Sequence, residues 1–209
     1  MPGLLSRPIA FFLFTLVVNA DAGVADLSVD QIEQIYQGKV SNWRQIGGKD
    51  LPIRLISRNP GSGTRDAFQR RVLGGMREPG TNSDDCQSRD PGSPPGVVRC
   101  ARDSTDAVLR TVASTPGAMG YSELSAATGR PGLTAIRIDG HPATVDEADH
   151  GTYPFWETEF GYTAGEPGAG SPAASFLRYL TNQVGADIIR SHGDRPCAER
   201  ANPRHCRPS

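Results

Sequence analysis

The segment 51–74 most constrains how this chain can fold, because it combines a strand, a turn and a helix in direct succession. It begins with the apolar run Leu-Pro-Ile-Arg-Leu-Ile-Ser-Arg, which predicts a short strand ending at Arg58. The glycine-rich sequence Asn-Pro-Gly-Ser-Gly-Thr-Arg predicts a turn. A helix is then expected to begin between Ser62 and Thr64. A strand that leads through a glycine-rich turn into a helix start is typical of an anion site.

The candidate binding residues in this segment are Arg58, Ser62, Gly63 and Thr64. The first N–H groups of a helix have no partner within it, and the helix dipole adds partial positive charge there. Glycine lets the backbone approach a ligand closely, and the two hydroxyl groups can donate hydrogen bonds. Arg58 can add a charged, bidentate donor. The alternative is that Ser62 only caps a structural helix; the arginine at the strand end favours the anion site.

Composition argues against several classes of partner. The 22 basic and 23 acidic residues nearly balance, so neither nucleic acid nor an anionic membrane surface is expected as a partner. No Cys-x-x-Cys sequence is present, and the histidines show no spacing typical of metal ligands. We therefore expect neither a metal nor a cofactor. The four histidines are His141, His150, His192 and His205.

The four cysteines fall into two local pairs, Cys86 with Cys100 and Cys197 with Cys206. Each pair lies in a stretch rich in Gly, Pro, Asp or Arg that we expect to be exposed to solvent. Two closed loops are the simplest connectivity, although four cysteines permit three pairings and free surface thiols are the alternative. An even number of cysteines in surface loops favours an oxidising, extracytoplasmic compartment.

The N-terminal region permits two interpretations. Arg7, the apolar run 9–18 and the small-residue sequence Ala-Asp-Ala at 20–22 imitate a secretory signal with a cleavage site. The same run is also a good buried strand followed by a turn. It is too short to cross a bilayer, which takes about 20 apolar residues, so no membrane span is expected.

The remaining chain alternates predicted helices and strands. A helix is expected over 27–38, with Ser28 as its N-cap. Trp43 is interpreted as a packing anchor rather than a ligand-stacking residue, and 78–96 as a long surface loop. A last helix should start at Ser171-Pro172 and break at Gly185. Further elements are expected at 103–114 (helix), 118–121, 133–138 and 154–163 (strands).

This alternation predicts an α/β fold with a mainly parallel or mixed sheet. In such folds ligands bind beyond the carboxyl ends of the strands, which is where Arg58 and the glycine-rich turn are placed. The predicted fold and the local chemistry therefore agree on the position of the site.

An ordered set of motifs resembles the phosphate-binding proteins of ABC-type phosphate importers. The resemblance covers roughly residues 8–190, and the ordered set is far more specific than the glycine turn alone. The motifs are Leu27-Ser28, Gln31-Ile32, Ile35-Tyr36-x-Gly38-Lys39, Asn42-Trp43, Ile46-Gly47-Gly48, Arg58-x-x-Gly61-Ser62-Gly63-Thr64-Arg65-x-x-Phe68 and Pro116-Gly117-Ala118-Met119-Gly120-Tyr121.

This resemblance implies a type II periplasmic-binding-protein fold, an α/β architecture whose two lobes close on a desolvated phosphate. It implies an extracytoplasmic, non-enzymatic solute-binding component of phosphate uptake, with inorganic phosphate or a related oxyanion as ligand and an ABC-type membrane permease as a possible partner. Arg58 resembles the family's phosphate-contacting arginine. Ser62, Gly63 and Thr64 resemble its Ser-Gly-Thr donors.

Family members also use residues from the beginning of the first lobe, and those have no counterpart in this sequence. We therefore expect one complete lobe, 24–127, which carries the anion-binding turn. The partial second lobe is expected to comprise a crossover strand in 1–23 and a return segment with the C-terminal helix in 128–192, followed by a tail, 193–209. A site made only of the four candidate residues should be weak and should distinguish phosphate poorly from sulfate.

Two other functions remain as alternatives. The first is a vestigial or interaction module of the same fold without a transport role. The second, less favoured, is a phosphatase or esterase with Ser62 or Thr64 as nucleophile. No histidine stands at a recognisable position to act as base, and Gly-Ser-Gly-Thr is not the Gly-x-Ser-x-Gly motif. The P-loop pattern of nucleotide-binding proteins is absent as well. We therefore expect a protein that is not an enzyme.

Overall fold

The computed structural model describes residues 3–198 and Cys206, which form two compact units. The larger unit is Phe14–Phe155, and the smaller unit contains 3–13 together with the described residues from Trp156 onward. The larger unit thus includes the predicted lobe 24–127 and, in addition, 14–23 and 128–155. The predicted lobe limits themselves stay a prediction.

Helices and strands alternate through most of the described chain. The strands are β1 (Leu4–Asn19), β2 (Asp26–Leu27), β3 (Arg54–Arg58), β4 (Val98–Arg102), β5 (Ala118–Glu123), β6 (Leu133–Ala135), β7 (Arg137–Ile138), β8 (Trp156–Ala164) and β9 (Arg195–Pro196). The helices are α1 (Val29–Tyr36), α2 (Gly63–Arg71), α3 (Thr105–Ser114), α4 (Leu124–Ala127), α5 (Val145–Asp149), α6 (Pro172–Thr181) and α7 (Gln183–Ser191), with 3-10 turns at Ala20–Ala22 and Trp43–Ile46.

The main sheet of the larger unit has the strand order β4-β3-β5-β1-β6. Strand β3 is parallel to both β4 and β5, whereas β1 is antiparallel to β5 and β6. The α/β class with a mixed sheet is therefore confirmed. Because β3, β4 and β5 are parallel, their last residues, Arg58, Arg102 and Glu123, lie at the same end of the sheet.

Residues 9–18 lie within β1, as the strand interpretation of this apolar run expects. In the larger unit, Phe14 to Val18 pair with β5, and Leu16, Val17 and Val18 are fully buried. The run is apolar except for Thr15, and every residue from Phe14 to Val18 is buried, a pattern typical of a central strand that is covered on both faces.

Helix α1 forms where its capping signals predict it. The Ser28 hydroxyl accepts a hydrogen bond from the Gln31 N–H, and the Gln31 side chain accepts one from the Ser28 N–H. This reciprocal capping box satisfies two N–H groups at the helix start. The buried face of the helix consists of Ile32, Ile35 and Tyr36.

Trp43 anchors the loop that follows α1. Its side chain is fully buried, and its indole N–H donates a hydrogen bond to the Gly117 carbonyl at 2.9 Å. A buried indole needs such an acceptor, because an unmet donor would cost free energy. These contacts agree with the interpretation of Trp43 as a packing anchor.

Both expected disulfides form, Cys86 with Cys100 and Cys197 with Cys206. The expectation that these cysteines are exposed is wrong for Cys86, Cys100 and Cys206, which are all buried. Cys100 is the inward-facing central residue of β4, and its disulfide packs in the same apolar cluster as Ile56. The polar composition around the cysteines misled the prediction, because the loop folds back onto the sheet.

The segment 78–96 has no helix or strand, as predicted, but it is fastened to the edge of the sheet. The buried Asn82 donates through its N–H to the Arg99 carbonyl and accepts from the Arg99 N–H through its side chain. Asn82 therefore covers part of edge strand β4. Hydrogen bonds from the Ser88 and Gln87 N–H groups lower the pKa of Asp85 to about 2.

The smaller unit consists of the first part of β1, which pairs with β8 and β9, and of helices α6 and α7. The prediction that Gly185 breaks the last helix is wrong. The break falls at Asn182, whose side chain caps α7, and Gly185 lies inside α7. A Cβ atom on Gly185 would lie 2.1 Å from the Tyr179 carbonyl oxygen, so glycine permits close packing there.

Among residues 3–198, no helix combines the length and the hydropathy that crossing a membrane requires. The tail predicted over 193–209 lies largely outside the described residues.

Candidate functional site

The predicted strand, turn and helix form as the sequence indicates, within the larger unit. Strand β3 ends at Arg58, Gly61 turns the backbone with a φ of 88°, and α2 begins at Gly63 after the N-cap Ser62. That positive φ favours glycine, because a Cβ atom would be strained there. The helix start lies within the predicted interval from Ser62 to Thr64.

Ser62 caps α2 by accepting a hydrogen bond from the Arg65 N–H at 3.4 Å. Its hydroxyl hydrogen can still donate to a ligand. The N–H groups of Gly63 and Thr64, in the first turn, have no acceptor within the helix by its geometry. A Cβ atom on Gly63 would meet nothing within 4 Å, so packing inside the protein does not require glycine at this position.

Thr64 is largely buried, and its hydroxyl donates to the Glu123 carboxylate at 3.4 Å. Glu123 is the last residue of β5, which neighbours β3 in the sheet. An anion that bound the Thr64 hydroxyl would have to compete with this carboxylate. The negative charge of Glu123 would also oppose the anion unless nearby cations offset it.

Arg58 is held at the start of α3. Its guanidinium donates to the Thr105 hydroxyl at 2.9 Å and to the Asp103 carbonyl at 3.1 Å. The third side-chain nitrogen, Nε, is buried and has no hydrogen-bond partner among the described residues. An unmet buried donor costs about 1–3 kcal/mol. The bonds to Thr105 and Asp103 use two of the five N–H donors of the guanidinium, so the Nη groups retain donors for a ligand.

A buried carboxylate, Glu78, lies behind the turn. The Ser57 hydroxyl donates to one of its oxygens, and the Tyr121 hydroxyl donates to the other at 2.8 Å. The Arg65 Nε lies 3.7 Å from the latter oxygen. Burial raises the pKa of Glu78, while the hydrogen bonds from Ser57 and Tyr121 and the charge of Arg65 act in the opposite direction.

This network reaches the backbone of Arg58 on both sides. The Tyr121 hydroxyl oxygen accepts a hydrogen bond from the Arg58 N–H at 3.1 Å. The Arg65 guanidinium donates to the Arg58 carbonyl at 2.8 Å. The backbone N–H of Arg65 also donates to the Ser62 hydroxyl, so Arg65 links the strand end to the helix start.

The described histidines have hydrogen-bond partners outside the turn. His141 contacts Glu147, and the backbone carbonyls of Asp146 and Ile188 bind His150 and His192. His205 lies outside the described residues. Within the described part of the chain, His, Cys, Asp and Glu side chains form no group of three that could hold a metal ion.

Comparisons with known proteins identify the family. Residues 2–184 match the family model described as a PBP superfamily domain. The chain belongs to this superfamily. It is 34% identical over 197 residues to the phosphate-binding protein PstS of Bacillus subtilis. The alignment covers 94% of this chain and 59% of that protein. It is 22% identical to the PstS of Borreliella burgdorferi, of which it covers 63%.

Solved structures of PBP-type proteins agree. A putative phosphate ABC transporter substrate-binding protein from Clostridium perfringens, solved with bound phosphate, matches with a TM-score of 0.73 and 27% identity; the alignment covers 93% of this chain and 72% of that one. An ABC-type phosphate transport receptor from Vibrio cholerae shares the fold, with a TM-score of 0.69 and 21% identity over 93% of this chain and 73% of that one.

The resemblance to the phosphate-binding proteins and the periplasmic-binding-protein fold are thus confirmed. The chain spans 59% and 63% of the lengths of the two curated relatives. The alignment covers 72% of the Clostridium protein, a share that fits the expectation of one complete lobe and part of a second.

The network of Glu78, Tyr121 and Arg65 in this PBP domain was not predicted from sequence. Glu78 stands alone at the start of a segment predicted as a surface loop, and no local pattern distinguishes it. Tyr121 lies in a predicted buried strand, where a tyrosine is usually interpreted as a packing residue of the core. Arg65 belongs to the motif around the turn, and its position there is the one available signal.

Glu78 predicts a pH dependence of stability. Its raised pKa means that, above the ordinary value of 4.5, the folded state retains a proton that the unfolded state has lost. Stability should then fall as the pH rises through the interval between the two pKa values. In Glu78→Gln this contribution should disappear. Urea unfolding of both proteins between pH 4 and 8 measures the difference in free energy.

The groups that face Glu78 are Ser57, Tyr121 and Arg65, and the charge of Glu78 in turn raises the pKa of Tyr36. They are present in both proteins, so the difference isolates Glu78. A wild-type protein that gained stability relative to Glu78→Gln with rising pH would contradict the prediction.

Proposed function

We propose that this chain binds inorganic phosphate or a related oxyanion through Arg58, Ser62, Gly63 and Thr64. The observation that carries the proposal is the Arg58 guanidinium, which is partly buried and keeps Nη–H donors beyond those that bind Thr105 and Asp103. It lies at the end of the strand that leads into the capped start of α2. An anion that accepted from these donors would form charge-assisted hydrogen bonds, which contribute about 1.5–3 kcal/mol each.

Electrostatics supports the same ligand. The Arg58 guanidinium contacts Thr105, the first residue of α3, where the helix dipole is positive. A cation at a helix start is unfavourable, and a bound anion would offset both positive charges. The first N–H groups of α2 and the Ser62 hydroxyl offer further donors that match phosphate oxygens.

We place this activity in phosphate uptake. The protein would act as an extracytoplasmic solute-binding component that delivers phosphate to an ABC-type permease, and not as an enzyme. The similarity to the phosphate-binding protein of Bacillus subtilis and to the putative phosphate transporter substrate-binding protein of Clostridium perfringens supports this role. The two disulfides support an oxidising compartment.

Calorimetric titration with phosphate tests the site. The wild-type protein should release or absorb heat with millimolar phosphate or less. Arg58→Met, which keeps the apolar stem, should weaken binding roughly 10- to 150-fold, because charged hydrogen bonds contribute about 1.5–3 kcal/mol. Sulfate should compete with phosphate in the same titration.

Arg54→Met is a matched control. Arg54 is the first residue of the same strand, and its guanidinium also donates to backbone carbonyls, those of Gln87 and Pro116. Its loss should leave phosphate affinity unchanged. Absence of heat with the folded wild-type protein, or an Arg58→Met protein that binds as wild type, would contradict the proposal.

One observation favours the alternative of an interaction module. Large apolar side chains on α6 and α7 are exposed: Phe176, Tyr179, Val184 and Ile188. Such exposure is typical of surfaces that contact a partner. A folded protein that gives no heat with phosphate would favour this alternative over the binding function.

A further inference from the structure

We infer that Tyr121 and Glu78 are positioning residues of the anion site: they fix the backbone of Arg58 and so direct its guanidinium. This inference rests on the proposed function for the ligand. The positioning itself rests on contacts that can be measured without a ligand.

The first step concerns the sheet. The parallel register of β3 with β5 ends at the pair Ile56 and Gly120, two residues before Arg58. Beyond that point the Arg58 N–H has no strand partner on the β5 side. The Tyr121 hydroxyl accepts this N–H at 3.1 Å and so replaces the missing backbone acceptor.

The second step concerns the direction of the Tyr121 hydroxyl. It donates its hydrogen to Glu78 at 2.8 Å, which leaves its oxygen lone pairs for the Arg58 N–H. Glu78 accepts from Ser57 as well, so both of its oxygens are engaged. The carboxylate therefore fixes the tyrosine in the role of acceptor toward Arg58.

The third step concerns Arg65. Its guanidinium pairs with Glu78 and donates to the Arg58 carbonyl. The side chain of Arg65 is 13% exposed and that of Glu78 is 1% exposed. Both backbone polar groups of Arg58 are thus held by side chains that meet at Glu78. Because Arg65 lies in the first turn of α2, the same carboxylate also aligns the helix start with the strand end.

A purely structural role explains this arrangement less well. Burying a carboxylate is costly even when it is paired, and apolar replacements of buried ion pairs are often as stable or more so. A buried polar network instead specifies one geometry. Here that geometry is the orientation of the residue proposed to bind the anion.

Tyr121→Phe tests the inference, with Tyr153→Phe as the matched control. Tyr153 lies in the same unit, is fully buried, and donates its hydroxyl hydrogen to the Phe14 carbonyl at 2.8 Å. Three quantities are measured for each protein: phosphate affinity by calorimetry, hydrogen exchange of the Arg58 amide by NMR, and stability in urea.

We expect Tyr121→Phe to weaken phosphate binding roughly three- to tenfold and to accelerate exchange of the Arg58 amide by a similar factor, the size expected for one lost hydrogen bond. Tyr153→Phe should lose comparable stability and change neither quantity. Should Tyr121→Phe fail to fold, Glu78→Gln takes its place with the same expectations.

The outcomes separate the two proposals. If the wild-type protein binds no phosphate, the proposed function fails, and faster Arg58 exchange in Tyr121→Phe still supports the positioning. Unchanged Arg58 exchange in Tyr121→Phe overturns the inference even if wild type binds phosphate. Tyr153→Phe with an equal loss of affinity also overturns it, because the effect would then be one of general stability.

Discussion

Phe68→Ala is expected to lower the free energy of unfolding by about 3–5 kcal/mol, the range for truncating a buried phenylalanine. Phe68 lies on α2 and is fully buried. Its ring centroid is 4.7 Å from that of Tyr121, 5.0 Å from that of Tyr36 and 5.5 Å from that of Phe155. Three rigid rings cannot collapse into the space left behind, so the cavity should persist and the cost should be high.

Urea unfolding followed by circular dichroism measures this loss. Phe176→Ala removes the same ring from a helix position that is 59% exposed and should cost less than about 1 kcal/mol. A Phe68→Ala protein as stable as Phe176→Ala would mean that the aromatic cluster around Phe68 does not hold α2 against the sheet.

Removal of the Cys86–Cys100 disulfide is expected to have the second largest effect. The double variant Cys86→Ala/Cys100→Ala opens a loop with a sequence separation of 14, for which the unfolded chain gains about 3 kcal/mol of conformational freedom. The lost sulfur atoms add to this cost, because both lie in the core cluster with Val17 and Ile56. Cys86 also holds a φ of 63°, which is unfavourable for a residue other than glycine.

Urea unfolding under non-reducing conditions measures the cost, and Cys197→Ala/Cys206→Ala serves as the comparison. That pair has a sequence separation of 9 and Cys197 is only half-buried, so its loss should cost less. If the Cys86 and Cys100 variant unfolds at the urea concentration of the wild type, the disulfide does not contribute to the core of the larger unit.

Much of the fold, and the strand, turn and helix that carry the candidate residues, could be predicted from the sequence. Ser28 with Gln31, and Ser62 before Gly63, define helix starts through hydrogen bonds that span three residues. Interactions between residues so close in the chain can be recognised from the local sequence, because both partners lie within one short motif. The same property made the ordered motifs specific enough to indicate the family.

Contacts between distant segments could not be predicted in this way. The polar residues around Cys86 indicated an exposed loop, yet the loop folds back and buries the disulfide against β4. Gly185 indicated a helix end, yet it serves close packing between α6 and α7. In both cases packing against a distant segment set the local structure, and the local composition does not show which segment that is.

The sequence by itself determined the strand, the glycine turn and the capped helix that place Arg58, Ser62, Gly63 and Thr64 in one segment. Only the tertiary structure decided what holds that segment in place. Tyr121 is 63 residues from Arg58 and 43 from Glu78, and the three meet because β3 and β5 are neighbours in the sheet. A backbone can form its turns from local hydrogen bonds, whereas the direction of a partly buried arginine depends on strand order and register.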